Sequence, residues 1–554
     1  MANIYSNCPT APGAVEIARF LSDHNYKHVF GLPGSQLVSA FYELQKTEIQ
    51  YVPTVHESAT IAAADGYARV AGKAAAMIYM YPGAANALAN LYNAFMDDSP
   101  LLVIGSQQLS TVRTGIGGGA CEGEVIPIVQ PVTRLAKELT KGTPVRHWLE
   151  KAKRASEGPT GGPVYLNISE DVLTEPGPVL DERLSVRAGP GIPDVAAVLD
   201  ALRKSERPLI IAGGQLRRCG GSEAIEQLAE QFEVPVAIDR GFCGALGVAP
   251  GHSHCIGSAN SAMYMDQNAD FVLMLGTRFI TESHPASRQY FPKASFVAQV
   301  NTDPVRLEMT RTVDWVSTAD PGAFAKQLLA ELRAGPAPDE ALLAKRRKWI
   351  GERPAPQSPS GPLGKLMSEF ARGLAPLHDA MDRGWVLDES AMSGGVLVNT
   401  LKAKDGRRFA NGGGASLGWA AGASAGVALA SGEPVTTVLG DGAARFGAQG
   451  LWTVKALNLP VTYVVMDNNG YSSTRNFERE HIATLGPQAN ARPGYLNMDM
   501  RTLGPDIAEL FRGFGIPTAR VPVGENPRGA IEKAWAESPK GPNCVIVSMA
   551  WEDE

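Results

Sequence analysis

The strongest constraint on the fold lies near the C-terminal end. Two apolar runs, Val435-Thr-Thr-Val-Leu-Gly-Asp-Gly442 and Val461-Thr-Tyr-Val-Val-Met-Asp-Asn-Asn-Gly-Tyr471, each close on small oxygen-bearing residues. Each run reads as a buried parallel strand, and the amphipathic stretch between them (Leu451, Trp452, Val454, Leu457) has the length of one crossover helix. A right-handed connection then brings Asp441 and Asn468, 27 residues apart, to the carboxyl ends of neighbouring strands. Two such oxygens suit a hard divalent cation, and magnesium in particular shares its shell between one or two protein carboxylates, phosphate and water. Gly442 lets a diphosphate approach the backbone, and the start of the following helix favours that anion. An isolated Gly-Asp-Gly is usually a turn; what points to a site is the strand before it, the helix after it and the second strand ending in Asn-Asn-Gly.

The same alternation of strand-like and helical runs extends along all 554 residues and predicts an α/β protein of three domains, each with a parallel sheet flanked by helices. Residues 1–178 form the first block, with strands expected at 28–31, 51–55, 74–80, 101–105 and 164–168 and helices at 37–45 and 84–96. Residues 190–333 form the second, with strands at 208–212, 234–238, 271–276 and 296–300. Residues 334–361 are rich in proline and charge around a short helical piece, which is linker composition. Residues 362–554 hold the cation motif and a last strand at 543–548.

The net charge of −6 and the lack of a basic run argue against nucleic acid as a partner. Neither a cationic, apolar leader nor a membrane-length apolar run is present, so the expected location is the cytoplasm. Six scattered cysteines without paired spacing agree with reduced thiols there.

Two further segments carry chemistry. Tyr51-Val-Pro-Thr-Val-His56-Glu57 places a glutamate where a strand gives way to a helix at 58–70; read alone, it could simply open that helix, because acids favour N-termini. Asn411-Gly-Gly-Gly-Ala-Ser-Leu-Gly-Trp-Ala-Ala-Gly422 lets a backbone come close to a ligand, or to a neighbouring helix. With the Asp441–Asn468 motif, these segments resemble the thiamine-diphosphate enzymes, the family of acetolactate synthase, benzoylformate decarboxylase, pyruvate decarboxylase and benzaldehyde lyase, over almost the whole chain.

That resemblance implies a set of roles. Asp441, Asn468 and the Gly470 carbonyl bind Mg2+, and Gly442, Ala443, Tyr471 and Ser472 lie along the diphosphate of thiamine diphosphate. Glu57 hydrogen-bonds the aminopyrimidine and favours its imino tautomer; burial would raise its pKa and help it share that proton. Leu417 wedges between the two rings, and the Ala415 carbonyl accepts from the 4′-amino group. In the family the glutamate comes from the neighbouring subunit, which implies a homodimer or homotetramer with active sites at the interface. The cofactor supplies an electron sink for making and breaking carbon–carbon bonds.

Weaker residues bear on the substrate. Phe30-Gly-Leu-Pro-Gly-Ser35 resembles the benzoylformate decarboxylase loop whose serine contacts the substrate carboxylate, although Ser35 also suits an ordinary turn. The histidines of the decarboxylases are replaced: Tyr79 matches one, and Ser283, beside His284, the other. A phenol is a poor proton shuttle at pH 7, whereas His284 could move in with a one-residue shift. Cys121 falls where acetolactate synthases carry a glutamine and reads as pocket lining. The loops at 115–126 and 474–493 shape the pocket, the latter offering Arg475, Arg479, His481 and Arg492 to an anionic substrate. In the middle block, residues 211–221 lack the dinucleotide fingerprint, so FAD stays open but is not favoured; Arg217 and Arg218 keep a flavin or CoA phosphate in view.

The expected activity is a 2-oxo acid decarboxylase of the benzoylformate decarboxylase kind with carboligase activity, acting on small 2-oxo acids or aldehydes. The alternatives are an acetolactate-synthase-like or benzaldehyde-lyase-like carboligase, a 2-hydroxyacyl-CoA lyase, and a non-catalytic assembly or regulatory homologue.

Overall fold

The computed structural model describes residues 8–113, 123–158, 160–180, 193–239, 245–258, 263–278, 290–309, 312–352, 361–380, 382–401, 406–486, 493–501 and 504–550. Among these, the strands form three six-stranded parallel sheets, with one small antiparallel pair, Thr10–Pro12 against Pro176–Pro178. The N-terminal sheet has the spatial order Gln50–Pro53, His28–Gly31, Ala74–Ile78, Leu101–Gln107, Val164–Ser169, Leu135–Leu139. The middle sheet runs Cys255–Ser258, Val236–Ile238, Pro208–Ala212, Phe271–Leu275, Phe296–Asn301, Trp315–Thr318. The C-terminal sheet runs Phe409–Asn411, Trp385–Glu389, Val435–Gly440, Val461–Asp467, Asn543–Ser548, Thr518–Val521. Central strands such as Leu101–Gln107 and Val461–Asp467 are buried along their whole length, as parallel strands covered by helices on both faces must be. No helix among the described residues is long and apolar enough to cross a membrane.

The segment 334–361, linker-like in composition, carries the helix Glu340–Gly351. Arg346, 2 % exposed, donates to the carbonyls of Leu202, Ser205 and Phe232, and the Trp349 indole donates to the Pro208 carbonyl at 3.1 Å. This helix therefore closes one side of the middle sheet.

Between Asp441 and Asn468 the chain forms two helices, Asp441–Phe446 and Ala448–Ala456, where the sequence pattern predicts one. The break is at Gly447. A Cβ there would stand 3.0 Å from the Ala421 side chain and 3.1 Å from the Gly418 backbone, so close contact with the Trp419–Ser431 helix takes precedence over continuity.

The N- and C-terminal sheets meet through two helices, Glu57–Ala71 and Trp419–Ser431, which touch backbone to backbone. A Cβ on Gly66 would lie 2.2 Å from the Ala423 carbonyl oxygen, and one on Gly426 1.8 Å from that of Ala63. The Trp419 indole donates to Asp65 at 2.6 Å, and the Arg69 guanidinium lies 4.5 Å from the centre of the Trp419 ring. A Gly426→Ala substitution drives a methyl group into this seam. Overpacking of a filled interior costs about 1–3 kcal/mol, and the expected drop in the unfolding midpoint is checked by thermal or denaturant melts.

A second junction gathers at Asp97 and Asp98, at the end of the Met80–Met96 helix. Asp98, with left-handed backbone (φ 52°), accepts from Arg134 at 2.8 Å, from Arg218 at 2.8 Å and from Arg306 at 2.6 Å, so the N-terminal sheet is clasped to the middle one. Burial alone would raise this carboxyl's pKa, but Arg218 and Arg306 outweigh it and hold the group well below the usual carboxylate range.

Candidate active site

The strands Val435–Gly440 and Val461–Asp467 pair in parallel, with Gly440 opposite Met466, so Asp441 and Asn468 leave the sheet side by side at its carboxyl edge. Asp441 is 3 % exposed; its Oδ1 accepts from the Gly442 amide at 2.9 Å, while Oδ2 is buried without a hydrogen bond. Burial, and next the neighbouring Asp467, push its carboxyl up to about 7. Asp467 has its own cation, Arg520, at 2.8 Å. Asn468 Oδ1 accepts from the Gly470 amide at 3.1 Å.

Gly470 cannot be another residue without rearrangement, because a Cβ would stand 2.3 Å from the Met498 carbonyl oxygen. That carbonyl also accepts from the Tyr471 amide at 3.2 Å, and Gly470 bridges antiparallel to Asp499. The Tyr471 ring lies 3.6 Å from where a Gly442 Cβ would be. Ser472 accepts from the buried Arg475 at 2.8 Å, and Ala443 is buried beside Asp441. The predicted set Asp441, Gly442, Ala443, Asn468, Gly470, Tyr471 and Ser472 is thus one continuous patch.

These groups fit a hard cation. Asp441 leaves a buried carboxylate oxygen without a donor, Asn468 brings an amide oxygen from the end of the neighbouring strand, and a Cβ on Gly440 would meet nothing within 4 Å. No group of three His, Cys, Asp or Glu side chains converges among the described residues. The remaining ligands would have to be a carbonyl, phosphate or water, which is how magnesium is usually held.

Glu57 opens the helix Glu57–Ala71 after the strand Gln50–Pro53, with His56 Nδ1 accepting from the Ser58 amide at 3.2 Å as the cap. The carboxylate is 7 % exposed and accepts from Asn86 Nδ2 at 3.1 Å. A Cβ on Gly83 would stand 2.9 Å from its Oε1, so that glycine makes room for it. Tyr165, on the same sheet, feels its charge. Every one of these contacts lies within the N-terminal domain.

Ser35 begins a single 3-10 turn, Ser35–Leu37, exposed, with its hydroxyl donating to Gln36 Oε1 at 2.8 Å. The half-buried Tyr79 packs its ring on the same turn: a Cβ on Gly34 would be 2.4 Å from Tyr79 Cδ2. The strands leading to Glu57, Ser35 and Tyr79 are adjacent in the sheet and pair in parallel, so all three residues share one carboxyl edge. His284, Ser283, Cys121 and Arg492 lie outside the described residues.

Family models match in all three blocks: the N-terminal TPP binding domain of thiamine pyrophosphate enzymes at residues 13–120, their central domain at 195–328 and their C-terminal TPP binding domain at 392–547. The chain belongs to the thiamine pyrophosphate enzyme family. Its relatives include an acetolactate synthase large subunit of Buchnera aphidicola subsp. Schizaphis graminum, 26% identical with 98% of this chain and 95% of the relative covered. A benzoylformate decarboxylase of Pseudomonas aeruginosa is 24% identical, over 93% and 95%. Among solved structures, a Rhodococcus jostii thiamine diphosphate-dependent 4-hydroxybenzoylformate decarboxylase shares the fold with TM-score 0.82 at 20% identity, over 98% of this chain and 100% of that one.

Within the family fold, Leu417 is half-buried and Ala415 exposed, the latter with φ 58°. Three residues that grip this segment escape sequence reasoning: Asn93, Asp97 and Glu389. Glu389 ends a strand as Asp441 and Glu57 nearly do, which is the only signal it offers. Its carboxylate caps the Trp419–Ser431 helix, accepting from the amides of Gly418, Trp419 and Ala420 at 2.5, 3.1 and 2.8 Å. Burial pushes it up to about 7 against the pull of those three donors.

The expected loop at 474–493 requires correction. Through residue 485 it is the helix Ser472–Leu485, for which its polar composition and the Asn476–Glu480 pair at 2.8 Å are suited. Arg475 is buried against Ser472, and Arg479 donates to the Tyr495 hydroxyl at 2.7 Å; His481 is exposed. In the middle block, Arg217 donates to the Leu246 carbonyl at 2.9 Å and Arg218 to Asp98, so both guanidinium groups have protein partners.

Proposed function

We propose that the chain is a thiamine-diphosphate-dependent 2-oxo acid decarboxylase, benzoylformate-decarboxylase-like, with carboligase activity. The observation that carries this reading is the Ser35 turn. Held by the Tyr79 ring on Gly34, it exposes a hydroxyl on the same sheet edge as Glu57, where a substrate carboxylate can be received. Asp441, Asn468 and the Gly470 carbonyl hold Mg2+; Gly442, Ala443, Tyr471 and Ser472 line the diphosphate; Ala415 and Leu417 meet the rings. When bound, the thiazolium supplies the electron sink for cleavage of the bond to the carboxylate. Glu57 holds and returns the proton at the aminopyrimidine, and Ser35 orients the substrate carboxylate.

The active unit in this reading is a homodimer or homotetramer in which Glu57 of one copy serves the Asp441 site of another. Two observations support it. The contacts of Glu57 stay within the N-terminal domain, and Tyr92, Phe446 and Trp452 are at least 36% exposed.

Carboligation by an acetolactate-synthase-like or benzaldehyde-lyase-like route is the second reading. It is favoured by Tyr79, which places a phenol where decarboxylases carry an imidazole to protonate the product. Incubation of the purified protein with thiamine diphosphate, Mg2+ and a panel of 2-oxo acids, with and without acceptor aldehydes, decides between them. Aldehyde and carbon dioxide in equal amounts are expected without acceptor. Acyloin or acetohydroxy acid as the main product under both conditions overturns the decarboxylase reading in favour of the second.

A further inference from the structure

The backbone from residue 411 to residue 420 is held by side chains from distant parts of the chain. The Asn411 carbonyl accepts from Arg69 Nη1 at 2.6 Å. The Gly413 amide donates to Asp97 Oδ2 at 2.7 Å, and its carbonyl accepts from Arg278 Nη1 at 3.2 Å. Asn93 uses both ends of its amide: Oδ1 accepts from the Gly414 and Ser416 amides at 3.0 and 3.2 Å, and Nδ2 donates to the Ser416 carbonyl at 2.9 Å. Glu389 then takes the next three amides, 418 to 420.

The fit leaves no slack. Asn93 is fully buried, and a Cβ on Gly413 or Gly414 would stand 1.9 Å from Asp97 Oδ1 or 2.7 Å from Asn93 Oδ1. Ala415, between the two amides that Asn93 binds, is instead exposed in left-handed conformation. Asn93 and Asp97 lie one turn apart on a helix that also contributes Asn86 to Glu57.

We propose that Asn93, Asp97 and Glu389 are positioning residues that keep residues 411–420 in their cofactor-binding shape before thiamine diphosphate arrives. The proposal rests on the reading that this segment runs beneath the cofactor. A segment already in its bound shape avoids the ordering cost of binding, and each buried amide left without an acceptor restores part of that cost. The same three residues thereby fix where the Ala415 carbonyl and Leu417 are presented.

The test uses the full chain with Asn93→Ala and, separately, the near-isosteric Glu389→Gln. Amide hydrogen exchange over 411–420 is read without cofactor, and thiamine diphosphate affinity with Mg2+ is read by tryptophan fluorescence. Exchange is expected to quicken at least about tenfold at 414–416 in the first variant and at 418–420 in the second. Affinity is expected to fall by about tenfold in each, equivalent to one lost hydrogen bond, with kcat at saturating cofactor changing less. Native-like exchange or native-like affinity in both variants, with the native chain binding normally, overturns this proposal alone. So does failure of both variants to fold, since the residues would then hold the domain rather than the segment. No binding of thiamine diphosphate by the native chain overturns the reading of the site, and this proposal with it.

Discussion

A Glu57→Gln chain is expected to bind thiamine diphosphate about as tightly as the native one and, in the role proposed for Glu57, to turn over 2-oxo acids about 10²- to 10⁴-fold more slowly, the range that a positioned acid or base supplies. The reasoning is local. Glu57 Oε2 faces the amide of Asn86, and Gly83 leaves space on the side of Oε1, so a glutamine of the same shape fits without a new clash. What it loses is the ability to hold and return a proton. Cofactor titration by fluorescence, with initial rates of carbon dioxide release, separates the two effects. Equal losses of affinity and rate would mean that Glu57 holds the cofactor without moving its proton.

Replacement of Asp441 has the other large effect. With Asp441 in the proposed Mg2+ site, Asp441→Ala is expected to weaken binding of thiamine diphosphate by more than about 100-fold, above the range typical of losing a group that merely supports a metal ligand. Asp441→Asn separates stability from binding. The carboxyl is raised from 3.8 to about 7 by burial and by Asp467, so the folded chain holds its proton more tightly than the unfolded one. The contribution of this carboxyl to the stability of the cofactor-free protein therefore falls as the pH rises from about 4 to about 7 and falls no further above that. In Asp441→Asn this part of the loss is gone, and the variant without cofactor is the more stable at pH 8. Denaturant melts at several pH values check this, with Mg2+ and thiamine diphosphate reversing the order by stabilising only the native chain.

Much of this could be read in the chain because two kinds of signal were strong. Largely apolar runs such as those at 101–105 and 461–466 are best accommodated at the centre of a parallel sheet. The junctions where such strands give way to helices put Glu57 and Asp441 on display. Edge strands were hidden for the opposite reason. Leu135–Leu139 and Trp315–Thr318 are only partly buried and carry polar residues, so their strand character comes from the neighbour they pair with. The break at Gly447 was equally invisible, because it answers to contact with Gly418 and Ala421 rather than to local periodicity. Asn93, Asp97 and Glu389 act on backbone groups of a segment remote in the chain, Asn93 and Asp97 more than 300 residues away. No spacing rule links such positions before the fold does.

Asp98, at the end of the Met80–Met96 helix, makes the clasp between the N-terminal and middle domains sensitive to acid. Asp98 is held below the usual range against its burial by Arg218 and Arg306, so its contribution to stability is complete above an ordinary carboxylate pKa of about 4 and drains away as the pH falls further. Its neighbour Asp97 grips Gly413, in the glycine-rich segment. Adjacent residues thus serve the union of two domains and the shape of the glycine-rich segment. Separation of the middle domain is therefore expected only as the pH falls below about 4, which small-angle scattering through an acid titration would register.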